Sequence, residues 1–275
     1  MKKCTITLLT LVSSMISFAQ RDTIYSNNEK IIGSVIEISP DAVTFKYPDE
    51  DLINSIYKNS VQKIVFKNGR IQTFSEGTSY KKISGVEDFE NVSVAQVESE
   101  VKGLYKIGEV SSKAKGTTVY SNQERVKQRA YKKLKIEAAM MGANVIFLTH
   151  QRTEGNKYGG YFQSSSSAET NLSGIAYSNS LPLYDNFKSL IGNKKDFVTK
   201  EKYELYSSSS EYKKAKYVKN FTINEIINEN GVIFLKGNLE GVKKYNRFRL
   251  ASYNEDSFSI YYEDKNTSYN ITIQI

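Results

Sequence analysis

Residues Ser121 to Leu148, SNQERVKQRAYKKLKIEAAMMGANVIFL, decide the fold. Ser121 followed by Glu124 has the form of a capping box, in which hydroxyl and carboxylate each satisfy a free amide of the first helical turn. Val126, Ala130, Leu134, Ala138 and Met141 then recur at the three- and four-residue spacing that places side chains on one helix face. Gly142 predicts the end of the helix, since glycine takes the left-handed conformation of a C-terminal cap without a Cβ penalty. At about 100° per residue, Arg125, Arg129, Lys132 and Lys135 gather on the opposite side. The expectation is an amphipathic helix with its apolar face packed and its cationic face in solvent, where those four residues would be the candidate contact for an anionic surface.

The segments on either side of this helix read as strands. Leu104 to Val110 precedes it, Asn144 to Thr149 is a compact apolar run directly after it, and Leu172 to Tyr177 follows a serine loop at Ser164 to Ser167. A helix laid across one face of a small sheet buries both apolar surfaces at once. Farther out the period changes to two. On the N-terminal side Ile32, Ser34, Ile36 and Ile38 alternate, Ser39-Pro40-Asp41 reads as a turn, and Val43, Phe45 and Tyr47 resume the alternation. Val61 to Lys67 and Arg70 to Phe74 flank Asn68-Gly69, the signature of a type I′ hairpin turn with positive φ at both central residues. On the C-terminal side Phe221 to Glu229 and Val232 to Leu239 flank Asn230-Gly231. Phe248 and Leu250, then Phe258, Ile260 and Tyr262, then Tyr269, Ile271, Ile273 and Ile275 each form a one-sided stripe. Four or five antiparallel strands closing into a barrel or sandwich are expected there.

The fold class expected is therefore α+β and β-rich: a small N-terminal β-barrel-like module, a central α+β module with one main helix on a sheet, and a C-terminal antiparallel β module. The boundaries expected are 1–19 for a signal peptide, 20–86, 87–184 and 185–275.

The stretch LKIEAAMMGANVIFL, Leu134 to Leu148, with the later Gly174 to Tyr177, resembles a pattern found in small bacterial envelope proteins. These include the envelope-stress sensor lipoprotein of the Rcs phosphorelay and relatives named after heavy-metal-binding domains. The shared element is a helix ending in Ala-Ala-x-x-Gly-Ala-Asn that runs into an apolar strand, here Ala138 to Asn144. Asn144 is placed to satisfy frayed helix carbonyls. The lipid-bearing and disulfide cysteines of the stress-sensor pattern have no counterpart here. The flanking segments, with the Ser17 to Gln20 ending SFAQ, resemble β domains of secreted proteins in the Bacteroidetes.

Lys2 and Lys3, the apolar run from Ile6 to Ile16 and Ser17-Phe18-Ala19 have the charge, length and small-residue order of a cleaved export signal. The run is too short for a comfortable membrane span, so no transmembrane anchor is expected in the mature chain. Cys4, the one cysteine, lies inside that signal, which leaves no mature thiol for a disulfide or a metal. Twenty tyrosines and thirteen phenylalanines against three prolines and no tryptophan fit a strand-rich chain. The net charge of +8, which includes Lys2 and Lys3, is a mild bias toward acidic surfaces. Nucleic acid is not an expected partner of an exported protein.

Few residues carry catalytic chemistry. His150 is the single histidine and has only Glu154 near it in sequence, so it reads as a strand-end surface residue rather than a base or ligand. The acidic groups Asp49 to Asp51 and Glu87-Asp88 lie in expected connections and lack the alternating ligands of a calcium loop. Ser164 to Ser167 and Ser207 to Ser210 read as flexible loops. No catalytic, cofactor-binding or metal residue is therefore expected, and no cofactor. The expected function is that of an exported, non-enzymatic cell-envelope protein with a binding or adaptor role, its partner an envelope protein or an anionic envelope surface. The alternative is an envelope carbohydrate hydrolase using paired carboxylates. If the export reading holds, intact mass of the protein recovered from the envelope or the medium will show a chain beginning at Gln20, and a dominant species retaining Met1 would refute it.

Overall fold

The computed structural model describes residues 21–26, 30–74, 80–160, 164–229 and 231–275; the expected signal segment and its cleavage site lie outside the described residues. The chain is α+β and β-rich, with three sheets among the described residues. The first contains β1 (Asp22–Ser26), β2 (Lys30–Ile38), β3 (Ala42–Lys46), β4 (Ile53–Tyr57), β5 (Val61–Val65) and β6 (Ile71–Thr73), all antiparallel in the order β4-β3-β2-β1-β5-β6. It encloses Ile24, Val43, Phe45, Val61, Ile64 and Phe74. The Asp22 carboxylate accepts from the amides of Val35 and Lys67, each at 2.8 Å, and so ties β1 to chain on both sides of it.

Two local expectations are corrected here. β2 buries Ile31 and Gly33 and exposes Ile32 and Ile36, the reverse of the stripe expected. Ile31 faces the fully buried Ile24 across the β1–β2 pair, and a bulge between Val35 and Glu37 then breaks the alternation. At Asn68-Gly69 only the glycine has positive φ, 81°. Its amide bonds the Phe66 carbonyl and the Phe66 amide bonds the Arg70 carbonyl, both at 2.8 Å, so the loop is a wider turn with one left-handed residue rather than type I′. Among the described residues, positive φ at two successive positions occurs at Lys265-Asn266, 48° and 62°; Asn230 of the other expected Asn-Gly turn lies outside the described residues.

The second sheet holds β7 (Ser93–Ala95), β8 (Tyr105–Lys115), β9 (Val145–Glu154) and β10 (Glu169–Ser178) in the order β7-β9-β10-β8. β7 is parallel to β9; the other pairs are antiparallel. α1 (Gln123–Met140) lies across it, with Val126, Ala130, Leu134 and Ala138 buried against Val110, Leu172 and Ala176 of the sheet. The cap is one residue later than expected. The Asn122 side chain accepts from the Arg125 amide at 2.9 Å, while the Ser121 hydroxyl accepts from Thr118. Gly142 does end the helix, with φ 82°, and the Ala143 amide returns to the Ala138 carbonyl at 2.9 Å. With the carbonyls served by backbone, Asn144 is free to bond elsewhere. Its buried amide donates to Asn179 Oδ1 at 2.7 Å and to the Lys81 carbonyl at 3.0 Å.

The third sheet comprises β11 (Asp196–Tyr206), β12 (Lys213–Lys216), β13 (Asn220–Glu229), β14 (Val232–Leu239), β15 (Arg247–Tyr253), β16 (Ser257–Asp264) and β17 (Thr267–Gln274), more strands than the four or five expected. β11 pairs with β13 through Asp196 to Val198 and with β17 from Val198 to Tyr206, which closes six strands into a barrel, while β12 lies along the second half of β11. The expected stripes face inward: Phe248, Leu250, Phe258, Ile260, Tyr262, Ile271 and Ile273 are buried together. α2 (Tyr184–Ile191) plugs one end, its fully buried Phe187 edge-on to Phe258 at 5.4 Å.

One irregularity lets β11 serve two cores. Phe197 joins the barrel interior, but the register against β17 shifts between Thr199 and Glu201. Beyond the shift Tyr203 and Leu205 stand opposite Asn270 and Ser268 and pack with Ile136 and Met140 of α1 and with Val86. Lys202 and Glu204, opposite Ile271 and Tyr269, turn inward. Helix α1 is thus covered by the sheet on one side and the barrel on the other, and the Asn270 side chain donates to its Met140 carbonyl at 2.8 Å in a buried contact.

Gly142 lies directly on this junction, where an added methyl would collide with the Ala251 carbonyl of β15. Gly69 has the same backbone conformation and open space around it. Gly142→Ala should therefore cost about 3 kcal/mol or more, left-handed strain plus collision, against about 1 kcal/mol for Gly69→Ala. Urea unfolding of the two variants checks the difference; equal losses would show that the barrel does not press on the helix cap.

Candidate functional site

Between α1, the β8–β10 edge and the barrel lies a cavity of about 540 Å³. The central module contributes Ser111, Ser112, Lys133, Glu137 and Ser173, and the barrel side contributes Ser207, Glu263 and Ser268. The lining is mostly hydroxyl, amide and charge. Helix geometry explains the central pair: Lys133 and Glu137 are four residues apart, on one face, flanking the stripe of Ile136 and Met140 that meets the barrel.

Glu137 is the perturbed group. Burial in the seam pushes its carboxyl up to about 7; the Ser111 amide, which donates to Oε2 at 3.2 Å, and the Lys133 ammonium oppose the shift, while the Glu263 carboxylate adds to it. Lys133 is itself buried, which lowers its pKa despite Glu137, and its ammonium donates to the Ser207 carbonyl. Tyr261, beside the same acids, is pushed up to about 12, chiefly by burial. A carboxyl that keeps its proton near neutrality, in a polar cavity with a second carboxylate, can donate a hydrogen bond or a proton as well as accept one.

The four cations expected in solvent are distributed differently. Arg125 is exposed, but Arg129, Lys132 and Lys135 are half-buried. Arg129 Nε donates to Ser210 Oγ at 3.3 Å, Lys132 pairs with Glu211 at 2.8 Å, and Lys135 donates to the Glu90 carbonyl at 3.3 Å. The solvent face is only partial because Ile136 and Met140 form a second apolar stripe beside these cations, and the barrel that covers the stripe brings Ser207 to Glu211 over them. Those serines are contact residues of α1, not the free loop expected.

Other candidates are dispersed. His150 is exposed on β9 opposite Ser173, where the register shifts. Asp49 and Asp51 make long surface ion pairs with Arg21 and Lys46, both at 3.9 Å. Glu87 bonds Lys214 of β12 at 2.9 Å and so belongs to the junction between the central module and the barrel. Among the described residues no group of three or more His, Cys, Asp or Glu side chains is placed to hold a metal ion, and no helix is long and apolar enough to cross a membrane.

Residues 87–178 match the family model described as a domain of unknown function, DUF4156. The match ends with β10 and includes α1, so it carries Lys133 and Glu137 but not the barrel residues that complete the cavity. No curated protein and no solved structure matches the chain.

The titration of Glu137 has a definite sign. The folded protein holds this proton where the unfolded chain has released it, so the contribution is full below about 4.5 and is lost as pH rises through about 7. Glu137→Gln should flatten the pH dependence of stability across that window and exceed the parent in stability above it, by up to about 3 kcal/mol. Urea unfolding at pH 5 and pH 8 reads both quantities. An unchanged pH slope in the variant would show that Glu137 titrates normally.

Proposed function

We propose that this is an exported, non-enzymatic cell-envelope protein with a binding role, in which a small polar ligand occupies the seam cavity and touches both the central module and the barrel. The observation that carries the reading is the two-sided lining: Ser112, Lys133 and Ser173 from one unit and Ser207, Glu263 and Ser268 from the other converge on about 540 Å³, a volume in the ordinary range of small-molecule sites. Hydroxyls and amides in that number supply hydrogen bonds in several directions, and the Lys133 and Glu137 pair supplies one cationic and one protonated acidic contact. The signal-like N-terminus, Lys2 to Ala19, supports export, and the Ala138 to Asn144 pattern supports an envelope address.

A second reading, hydrolysis of an envelope carbohydrate by paired carboxylates, is favoured by one observation: Glu137 and Glu263 share the cavity, and Glu137 retains its proton near pH 7. One experiment separates the two. The full chain is mixed with the low-molecular-mass fraction of a cell-envelope digest, and melting temperature and sugar release are followed together. Binding predicts a rise in melting temperature that Ser173→Trp, which fills the cavity, abolishes, with no release of new reducing ends. Release that stops in Glu137→Gln would establish the hydrolase instead, and no response of any kind would refute both readings.

A further inference from the structure

At the end of the barrel opposite α2 lies a second cavity, about 400 Å³, framed by Tyr217, Tyr245, Tyr262 and Tyr269. Its origin is visible along the barrel axis. The interior is a relay of aromatic contacts, edge-to-face from Phe187 to Phe258, tilted from Phe258 to Phe221, then edge-to-face from Phe221 to Phe248 and from Phe248 to Tyr262 at 5.4 Å. There phenylalanine gives way to tyrosine. Tyr262 stacks on Tyr269 with centroids 4.8 Å apart and planes within 9°, and Tyr245 leans on Tyr262 at 5.7 Å. Each ring lends an apolar body to the core, and the polar ends gather at the opening.

Packing alone does not account for what else faces this opening. Because of the register shift in β11, Lys202 and Glu204 turn into the barrel on the same side as Ile271 and Tyr269. They form an ion pair at 2.7 Å with side chains only 23% and 16% exposed. An inward-facing pair of this kind contributes little to stability, since desolvation offsets most of its attraction. It is also held in place: Tyr206 donates to Glu204 at 2.9 Å, and the Lys202 ammonium lies over the Tyr217 ring at 4.9 Å. Asp264 adds a second carboxylate, accepting from the Tyr245 hydroxyl at 3.3 Å.

We infer that the tyrosine-framed mouth of the barrel is a saccharide-binding site. Tyr217 already carries the Lys202 ammonium and Tyr262 is packed between Tyr269 and Phe248, so a ligand needs an apolar face to lie on Tyr245 or Tyr269 and several hydroxyls to meet fixed carboxylates and an ammonium, and a sugar ring has both. A quaternary ammonium fits less well, because Lys202 already places a cation on Tyr217. Glu204 and Asp264 share the lining with Lys202, Lys243 and Lys244, so the hydroxyls of a neutral sugar and an acidic substituent on one both find partners there. The site rests on no part of the seam reading: it lies on the other side of β11, and Ser173 does not line it.

The absence of tryptophan makes tyrosine emission a direct probe. The full chain is titrated with neutral trisaccharides of glucose, of mannose and of N-acetylglucosamine, and separately with tetramethylammonium, and emission is read with saturation-transfer NMR of the ligand. At least one trisaccharide should bind. Tyr245→Ala, at a half-buried position in the connection before β15, and Glu204→Gln, nearly isosteric, should each weaken it about tenfold, while Ser173→Trp, read by the NMR signal alone because it adds a tryptophan, leaves it unchanged. Far-ultraviolet circular dichroism establishes that each variant is folded. Glu204→Gln alone suffices if Tyr245→Ala unfolds, and Tyr245→Phe, which keeps the ring and loses the bond to Asp264, serves if Glu204→Gln does. No binding of any trisaccharide at millimolar concentration, binding that survives in the folded variants, or binding of tetramethylammonium alone would overturn the assignment.

Discussion

Everything in the C-terminal two-thirds of the chain depends on α1 being buried on two sides. Eight of its residues, Val126, Ala130, Lys133, Leu134, Ile136, Ala138, Ala139 and Met140, are buried, and they do not share one face. Val126, Ala130, Leu134 and Ala138 meet the four-stranded sheet; Ile136 and Met140 meet β11 of the barrel. A helix with two apolar stripes is a poor surface helix and a good central one, because each stripe left in water would forfeit roughly 2 kcal/mol per large side chain. Two partners are therefore needed, and the chain supplies the second through the register shift in β11. Without that extra residue, Tyr203 and Leu205 would point into the barrel and Lys202 and Glu204 would point at the helix.

The same shift creates both cavities. On its outer side β11 brings Leu205 and the following Ser207 over Lys133 and Glu137, leaving a polar gap where helix, sheet and barrel curve away from one another. On its inner side it delivers an ion pair to a barrel mouth already framed by tyrosine. The raised pKa of Glu137 follows from this architecture: its four-residue spacing from Lys133 supplies a compensating charge, but the barrel withdraws solvent and adds Glu263 on the far wall.

Most of the architecture is legible in the residues. The helix, its end at Gly142, the flanking strands and the inward stripes of β15, β16 and β17 follow from three- and four-residue or two-residue spacing, and spacing is a local property. Where local spacing misleads, a distant partner decides the outcome. The cationic face reads as solvated because Val126 to Ala138 already account for one sheet, and nothing near Ile136 and Met140 announces a barrel strand some seventy residues later. The parity of β2 depends on Ile31 meeting Ile24 and on a bulge that spacing alone does not show. Lys133 and Glu137 carry no local sign of their burial, since the covering residues Ser207 and Glu263 belong to another module.

Sheet, helix and barrel form one cooperative unit through α1. Native-state hydrogen exchange on Met140→Ala tests it most directly, since that change empties space in the cluster shared with Tyr203 and Leu205 and should cost about 2 to 5 kcal/mol. The account predicts that the most protected amides of β10 and of β16 lose protection by the same amount. Loss confined to the central sheet, with β16 unchanged, would contradict it.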